Sequence, residues 1–293
     1  MTLAWFIVGL ILAGCVMLTL TLTLPDLGLS YVTLIMYPLQ FIPLLIYVKI
    51  KSGSNAGFDR GYSLDSDHFG QGGGLVSGLM AIAAALSAAF VLELVNSWLP
   101  DMDAQLLKSM EALLGGPLWV SLLSVCVLAP LLEEWLCRGI VLRGLLNFKR
   151  DALDGGERKR GMSPALAIVI SAFFFAAIHG NVWQGVTAFL LGCVMGYVYY
   201  KTGSLKLTML MHCANNLTSL LVSRYGGEEI ASAASLADVM PKGTYYTIFV
   251  LAIVILAFSL RYFSNVRTID GQGNCDIIPS TEDTVSEESK LTD

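Results

Sequence analysis

Apolar residues run along this chain in blocks of helix length, at about 2–24, 29–48, 75–99, 117–146, 163–180, 182–200, 204–223 and 245–263. Crossing a bilayer takes about 20 residues at a rise of about 1.5 Å each. The pattern therefore predicts an all-α polytopic membrane protein with about eight transmembrane helices. The weakest boundary lies between blocks five and six, where only His179, Gly180 and Asn181 offer a turn. The chain shows no internal repeat.

The connections have characters of their own. Residues 53–73 are rich in Gly and Ser and are expected to be mobile. In 101–114, Leu106, Leu107, Met110, Leu113 and Leu114 share one helical face. That suits an interfacial helix on the outer surface and equally an ordinary connecting helix. From Asp270 onward the chain is polar and acidic, so disorder is expected. The expected division is a membrane domain over 1–264 and an acidic tail over 265–293.

Composition sharpens this picture. Of 293 residues, 55% are hydrophobic and 14% charged, against about 25% charged in soluble domains. The net charge of −5 gives no support for a nucleic-acid partner. The six cysteines form no CxxC pair, and five lie in apolar blocks. They read as small core- or lipid-facing residues, not a disulfide frame or a structural zinc site. Leu12-Ala13-Gly14-Cys15 resembles a lipoprotein cleavage box, but Met1 to Ala4 carries no base and the apolar run continues to Leu24. It is read as the first membrane helix. Cys275-Asp276-Ile277-Ile278 is followed by further residues and is not read as a prenylation signal.

Basic residues set the orientation. Lys49, Lys51 and Arg60, then Lys149 through Arg160, then Lys201 and Lys206, then Arg261 and Arg267 all fall on one side of an eight-span bundle. Both termini are thereby expected in the cytoplasm of a multi-pass protein, in a bacterial plasma membrane.

Two adjacent acids, Glu133 and Glu134, interrupt the fourth block, with Arg138 four residues on. A charge at bilayer depth costs about 2.5–3.5 kcal/mol on insertion scales. Glu134 and Arg138 share a helical face, with the acid in the favoured N-terminal position. Glu133 points about 100° away and is left free, which suits a proton acceptor. Phe175 and His179 are four apart and cofacial, as are His212 and Asn216. Only three histidines occur, and His68 lies in a soluble loop and is read as uninvolved. Charge-paired packing and interhelical hydrogen bonding account for the same residues without chemistry. A carboxylate, two imidazoles and an amide also fit activation of water against a carbonyl, with donors for the oxyanion. Glu133, His179 and His212 fit equally as ligands of a divalent metal such as zinc.

Glu133-Glu134-x-x-x-Arg138, Phe175-x-x-x-His179 and His212-x-x-x-Asn216 together resemble the three motifs of the CAAX protease and bacteriocin-processing family. This Abi group of intramembrane endopeptidases includes the Ras-converting CAAX endoprotease. The resemblance covers about 117–222 and implies a catalytic core formed by helices four to seven. It implies Glu133 as base on water, assisted by His179, with His212 and Asn216 as oxyanion hole. Glu134, Arg138 and Phe175 would support them. A mechanism without cofactor is preferred over a metalloprotease. The implied partner is a membrane-associated peptide or protein, prenylated at its C-terminus or a small bacteriocin-like precursor. A proton-coupled transporter and a non-catalytic peptide-binding immunity protein are the rival readings; the oligomeric state is not fixed. A water-filled cavity opening to the cytoplasm is expected, because buried charges usually line such cavities.

Overall fold

The structure, a computed structural model, describes residues 2–53, 64–67, 69–70, 72–100, 102–146, 149–150, 159–160, 162–227 and 236–266. His68, most of the 53–73 loop, Cys275 and nearly all of the 265–293 tail lie outside the described residues. The helices are α1 (Thr2–Thr23), α2 (Leu29–Leu39), α3 (Ile42–Gly53), α4 (Gly73–Asn96), α5 (Ala104–Leu114), α6 (Leu118–Leu146), α7 (Pro164–Ala177), α8 (Val182–Thr202), α9 (Leu205–Tyr225), α10 (Leu236–Val239) and α11 (Lys242–Ser264). A two-residue antiparallel ladder, Lys149–Arg150 with Lys159–Arg160, joins the two ends of the α6–α7 connection. The chain is an all-α polytopic membrane protein.

All eight apolar blocks are helical, but among the described residues six helical segments are long and apolar enough to cross a membrane. The other two are α7 and α9. Helix α7 has 14 residues, short of the span requirement. In α9, Lys206, His212, Asn215, Asn216 and Arg224 dilute the apolar run. The second block is broken rather than continuous. Pro38 and Pro43 lack the N–H that would bond to the Leu34 and Leu39 carbonyls, Phe41 N–H turns to the Pro38 carbonyl at 3.1 Å, and α2 ends where α3 begins. The lipoprotein-like Leu12 to Cys15 string lies inside α1, with Cys15 exposed.

Small residues let the helices approach closely. Ala81, Ala84, Ala85 and Ala88 form a fully buried stripe on α4, which packs against α8, α9 and α11. In the α7–α8 hairpin, a Cβ on Gly192 would lie 3.2 Å from both Ala172 and Phe175. The hairpin turns at Gly180, whose φ of 68° is left-handed, and Asn181 then caps α8 by accepting from Gln184 N–H. Gly203, at φ 65°, ends α8 in the same conformation.

The register between α6 and α9 decides what meets what. A Cβ on Gly139 would lie 3.3 Å from Leu205, the first residue of α9. Glu133 and His212 are six and seven residues from that contact, so the two antiparallel helices carry them at one depth. The last turns of the 29-residue α6 continue past the start of α9.

Candidate active site

Helix α6 does not keep one winding. Leu122–Leu128 and Trp135–Leu142 are π-helical, flanking the α-helical stretch that carries Glu133 and Glu134. Such widened turns recur at functional sites. In the first, Ala129 N–H bonds back five residues to Ser124. The next bond in that series would come from Pro130 to the Val125 carbonyl, and proline has no N–H to give. Asn216 of α9 donates to Val125 instead, Nδ2 to O at 2.9 Å. Asn215 Nδ2 in turn donates to Asn216 Oδ1 at 3.2 Å. The amide is thereby oriented, with one of its two N–H bonds committed to the backbone.

Glu134 and Arg138 are both 0% exposed and pair at 2.8 Å through Arg138 Nη1. Arg138 Nη2 donates to the Gly192 carbonyl at 3.0 Å, which ties α6 to α8. Its guanidinium lies over the Phe175 ring, 4.5 Å from the centroid, a favourable cation–π placement. The Phe175 ring also meets His179 and His212 edge-on, at 5.0 and 5.4 Å between centroids. One aromatic ring therefore positions the guanidinium and both imidazoles.

The imidazoles are fixed by what they touch. His179 lies just past the end of α7, in the turn rather than in the helix. Its Nδ1 is 2.8 Å from the Phe175 carbonyl, which can only accept. Nδ1 therefore carries the proton, and Nε2 of the neutral ring presents a lone pair. His212 places Nδ1 3.1 Å from Glu134 Oε1, so the acid that pairs with Arg138 also holds this ring. Its Nε2 faces Glu133 Oε2 at 3.9 Å.

Glu133 itself is 8% exposed. Its Oε1 accepts a short hydrogen bond from the Tyr37 hydroxyl of α2, while Oε2 has no hydrogen-bond partner among the described residues. Tyr37 is the functional contact that sequence reasoning missed. Its only signal was a tyrosine immediately before Pro38, midway along the second apolar block.

Glu133, His179, His212, Asn216 and Phe175 all line one cavity of about 440 Å³. Glu134 and Arg138 lie behind its wall. The lining comes from α2, α5, α6, α8 and α9, from the end of α7 with the turn after it, and from Met102. Met110, Leu113 and Leu114 of α5 turn inward over the cavity, while Leu107 is exposed.

Among the described residues no three His, Cys, Asp or Glu side chains are gathered so as to hold one metal ion. Glu133, His179 and His212 share the cavity without forming a three-ligand set, so no step below is routed through a metal.

Fold and site together define a polytopic membrane protein with an acid–imidazole–amide cavity enclosed by its helices. Residues 115–218 match the family model described as Type II CAAX prenyl endopeptidase Rce1-like. That segment, about a third of the chain, is similar to this family of membrane endopeptidases. No curated protein and no solved structure matches it.

Proposed function

We propose that the chain hydrolyses a peptide bond in a membrane-associated peptide with water activated by Glu133. One observation carries this reading. The unpartnered Glu133 Oε2 faces His212 Nε2 at 3.9 Å on a cavity that His179 and Asn216 also line. Glu133 takes the proton from water. Tyr37 holds its other oxygen and so aims the free one into the cavity. His179, with its lone pair on Nε2, accepts the proton relayed from the acid.

As the water attacks, negative charge develops on the carbonyl oxygen. The second N–H of Asn216 donates to it. His212, its Nδ1 held by Glu134, donates from Nε2 when both ring nitrogens carry protons. In that state Glu133 and Glu134 are balanced by Arg138 and His212. Each oxyanion donor contributes about 3 kcal/mol to the transition state. A carboxylate fixed between the guanidinium and the imidazole explains why the motif needs two adjacent acids with separate duties.

The test is cleavage of a peptide panel by purified protein, using a prenylated tetrapeptide and small leader peptides. Glu133→Gln is expected to lower the rate by about 10²–10⁴, and Asn216→Ala by about 10²–10³, with unfolding behaviour close to the parent. A Glu133→Gln protein that cleaves at the parent rate removes this mechanism. Retained peptide binding with no cleavage in the parent itself favours the immunity reading.

A further inference from the structure

We propose that Gln184 and Asn215 are positioning residues that grip the main chain of an extended peptide around the attacked carbonyl, Asn215 accepting from a substrate N–H and Gln184 donating to a substrate carbonyl. The proposal rests on the endopeptidase reading and adds how the peptide is held.

Backbone groups whose roles cannot change fix the orientation of both amides. At the start of α8 the Gln184 N–H can only donate, so the Asn181 atom it reaches at 2.9 Å is Oδ1. Asn181 Nδ2 then points the other way, donating to the His179 carbonyl at 3.1 Å and to Gln184 Oε1 at 2.6 Å. The Gln184 oxygen is thereby committed, and its Nε2 has no partner among the described residues.

On α9 the same logic runs in the opposite sense. The Val125 carbonyl can only accept, so Asn216 presents Nδ2 to it and turns Oδ1 to Asn215. Asn215 meets that oxygen with Nδ2 at 3.2 Å, which leaves its own Oδ1 without a partner among the described residues. Neither Gln184 nor Asn215 is fully buried, and both line the cavity with Glu133. The cavity thus offers a free donor on α8 and a free acceptor on α9.

A peptide main chain brings the complement of both at each residue, whereas an acyl chain brings neither. In an extended strand one residue turns its N–H and its carbonyl to the same edge, and the next residue turns its pair to the other. When Asn216 receives the attacked carbonyl, the N–H of that same residue lies along α9, where the adjacent Asn215 Oδ1 accepts it. The carbonyl of a neighbouring residue turns away from α9, and Gln184 Nε2 donates to it. Met110, Leu113, Leu191 and Leu220 supply apolar surface for the side chains between. The grip requires an unfolded, extended segment, because the N–H and carbonyl groups of a helix are already paired with each other.

An ester scan of the peptide panel tests this. Each peptide that the parent cleaves is remade with an ester in place of one amide, which removes a single N–H. The cut bond is located by mass spectrometry, and kcat/KM is measured for the parent, Asn215→Ala and the similarly shaped Asn215→Leu. Loss of the N–H on the residue that carries the attacked carbonyl is expected to lower kcat/KM about threefold to tenfold in the parent, the size of one net hydrogen bond, and to have no further effect in either variant. Asn215 also orients Asn216, so both variants are slower with every substrate, and only disappearance of the ester penalty reports the contact. A penalty of the same size in parent and variants, or none in the parent, overturns the assignment of Asn215. Gln184→Met is expected to raise KM about threefold to tenfold at unchanged kcat, since its contact is made before and during attack alike; an unchanged KM overturns the assignment of Gln184. If the parent cleaves no member of the panel, the endopeptidase reading fails, and the same amide and ester pairs are compared for binding through quenching of intrinsic tryptophan fluorescence. An ester penalty present in the parent and absent from Asn215→Ala then upholds the grip on the main chain, whereas equal binding of amide and ester, or no binding, overturns it.

Discussion

Replacing Arg138 by Met tests the charge arrangement behind the cavity most directly. The methionine keeps the apolar stem and removes the guanidinium. Glu134, at 0% exposure, then loses its 2.8 Å ion pair and keeps only the His212 contact. The Gly192 carbonyl loses its interhelical donor, and the Phe175 ring its cation. Removing one partner of a buried pair costs about 3–5 kcal/mol, mostly through the charge left behind. The double variant Glu134→Gln with Arg138→Met removes both charges and is expected to be less destabilised than the two single losses together. For neighbours in one network that coupling is about 0.5–3 kcal/mol. The assay is unfolding of the detergent-solubilised protein by sodium dodecyl sulfate, for parent, both singles and the double. Arg138→Met unfolding at the parent midpoint would refute the reasoning. So would single losses that add to the double within about 0.3–0.5 kcal/mol, the margin for independent sites.

Three further outcomes are expected. Tyr37→Phe removes one hydroxyl and leaves Glu133 Oε1 without its donor; a hydrogen bond to a charged group is worth about 1.5–3 kcal/mol, so stability falls by that order and turnover falls with it, whereas an unchanged turnover frees Glu133 from α2. Gly192→Ala forces a Cβ to within 3.2 Å of Ala172 and Phe175; overpacking of about 1–3 kcal/mol should appear as a lowered unfolding midpoint, and a midpoint at the parent value would mean that α7 and α8 separate freely. Treatment with a chelator is expected to leave peptide cleavage intact, as measured on protein whose metal content is assayed in parallel; activity that vanishes and returns with one added divalent ion points to a metal held by Glu133 and the histidines.

Much of the candidate site was legible because the membrane makes polar residues conspicuous. Glu133, Glu134, His179, His212 and Asn216 stood out against apolar blocks, and spacing of four put Glu134 with Arg138 and Phe175 with His179 on shared faces. Spacing could not give Tyr37, because its partner is 96 residues away on another helix. Nor could it give the commitment of Asn216 to Val125, which follows from a π-helical turn meeting Pro130.

By itself the sequence determined that this chain is a helical membrane protein, which residues are costly enough in lipid to need a reason, and which end of the bundle is basic. Those are properties of composition and local periodicity. The tertiary structure decided which polar groups meet, at what depth, and which helices enclose their cavity. Helix register and close approach settle such matters, and they depend on small residues such as Gly139 and Gly192 fitting against distant neighbours. A contact between helices far apart in the chain leaves no period in either one.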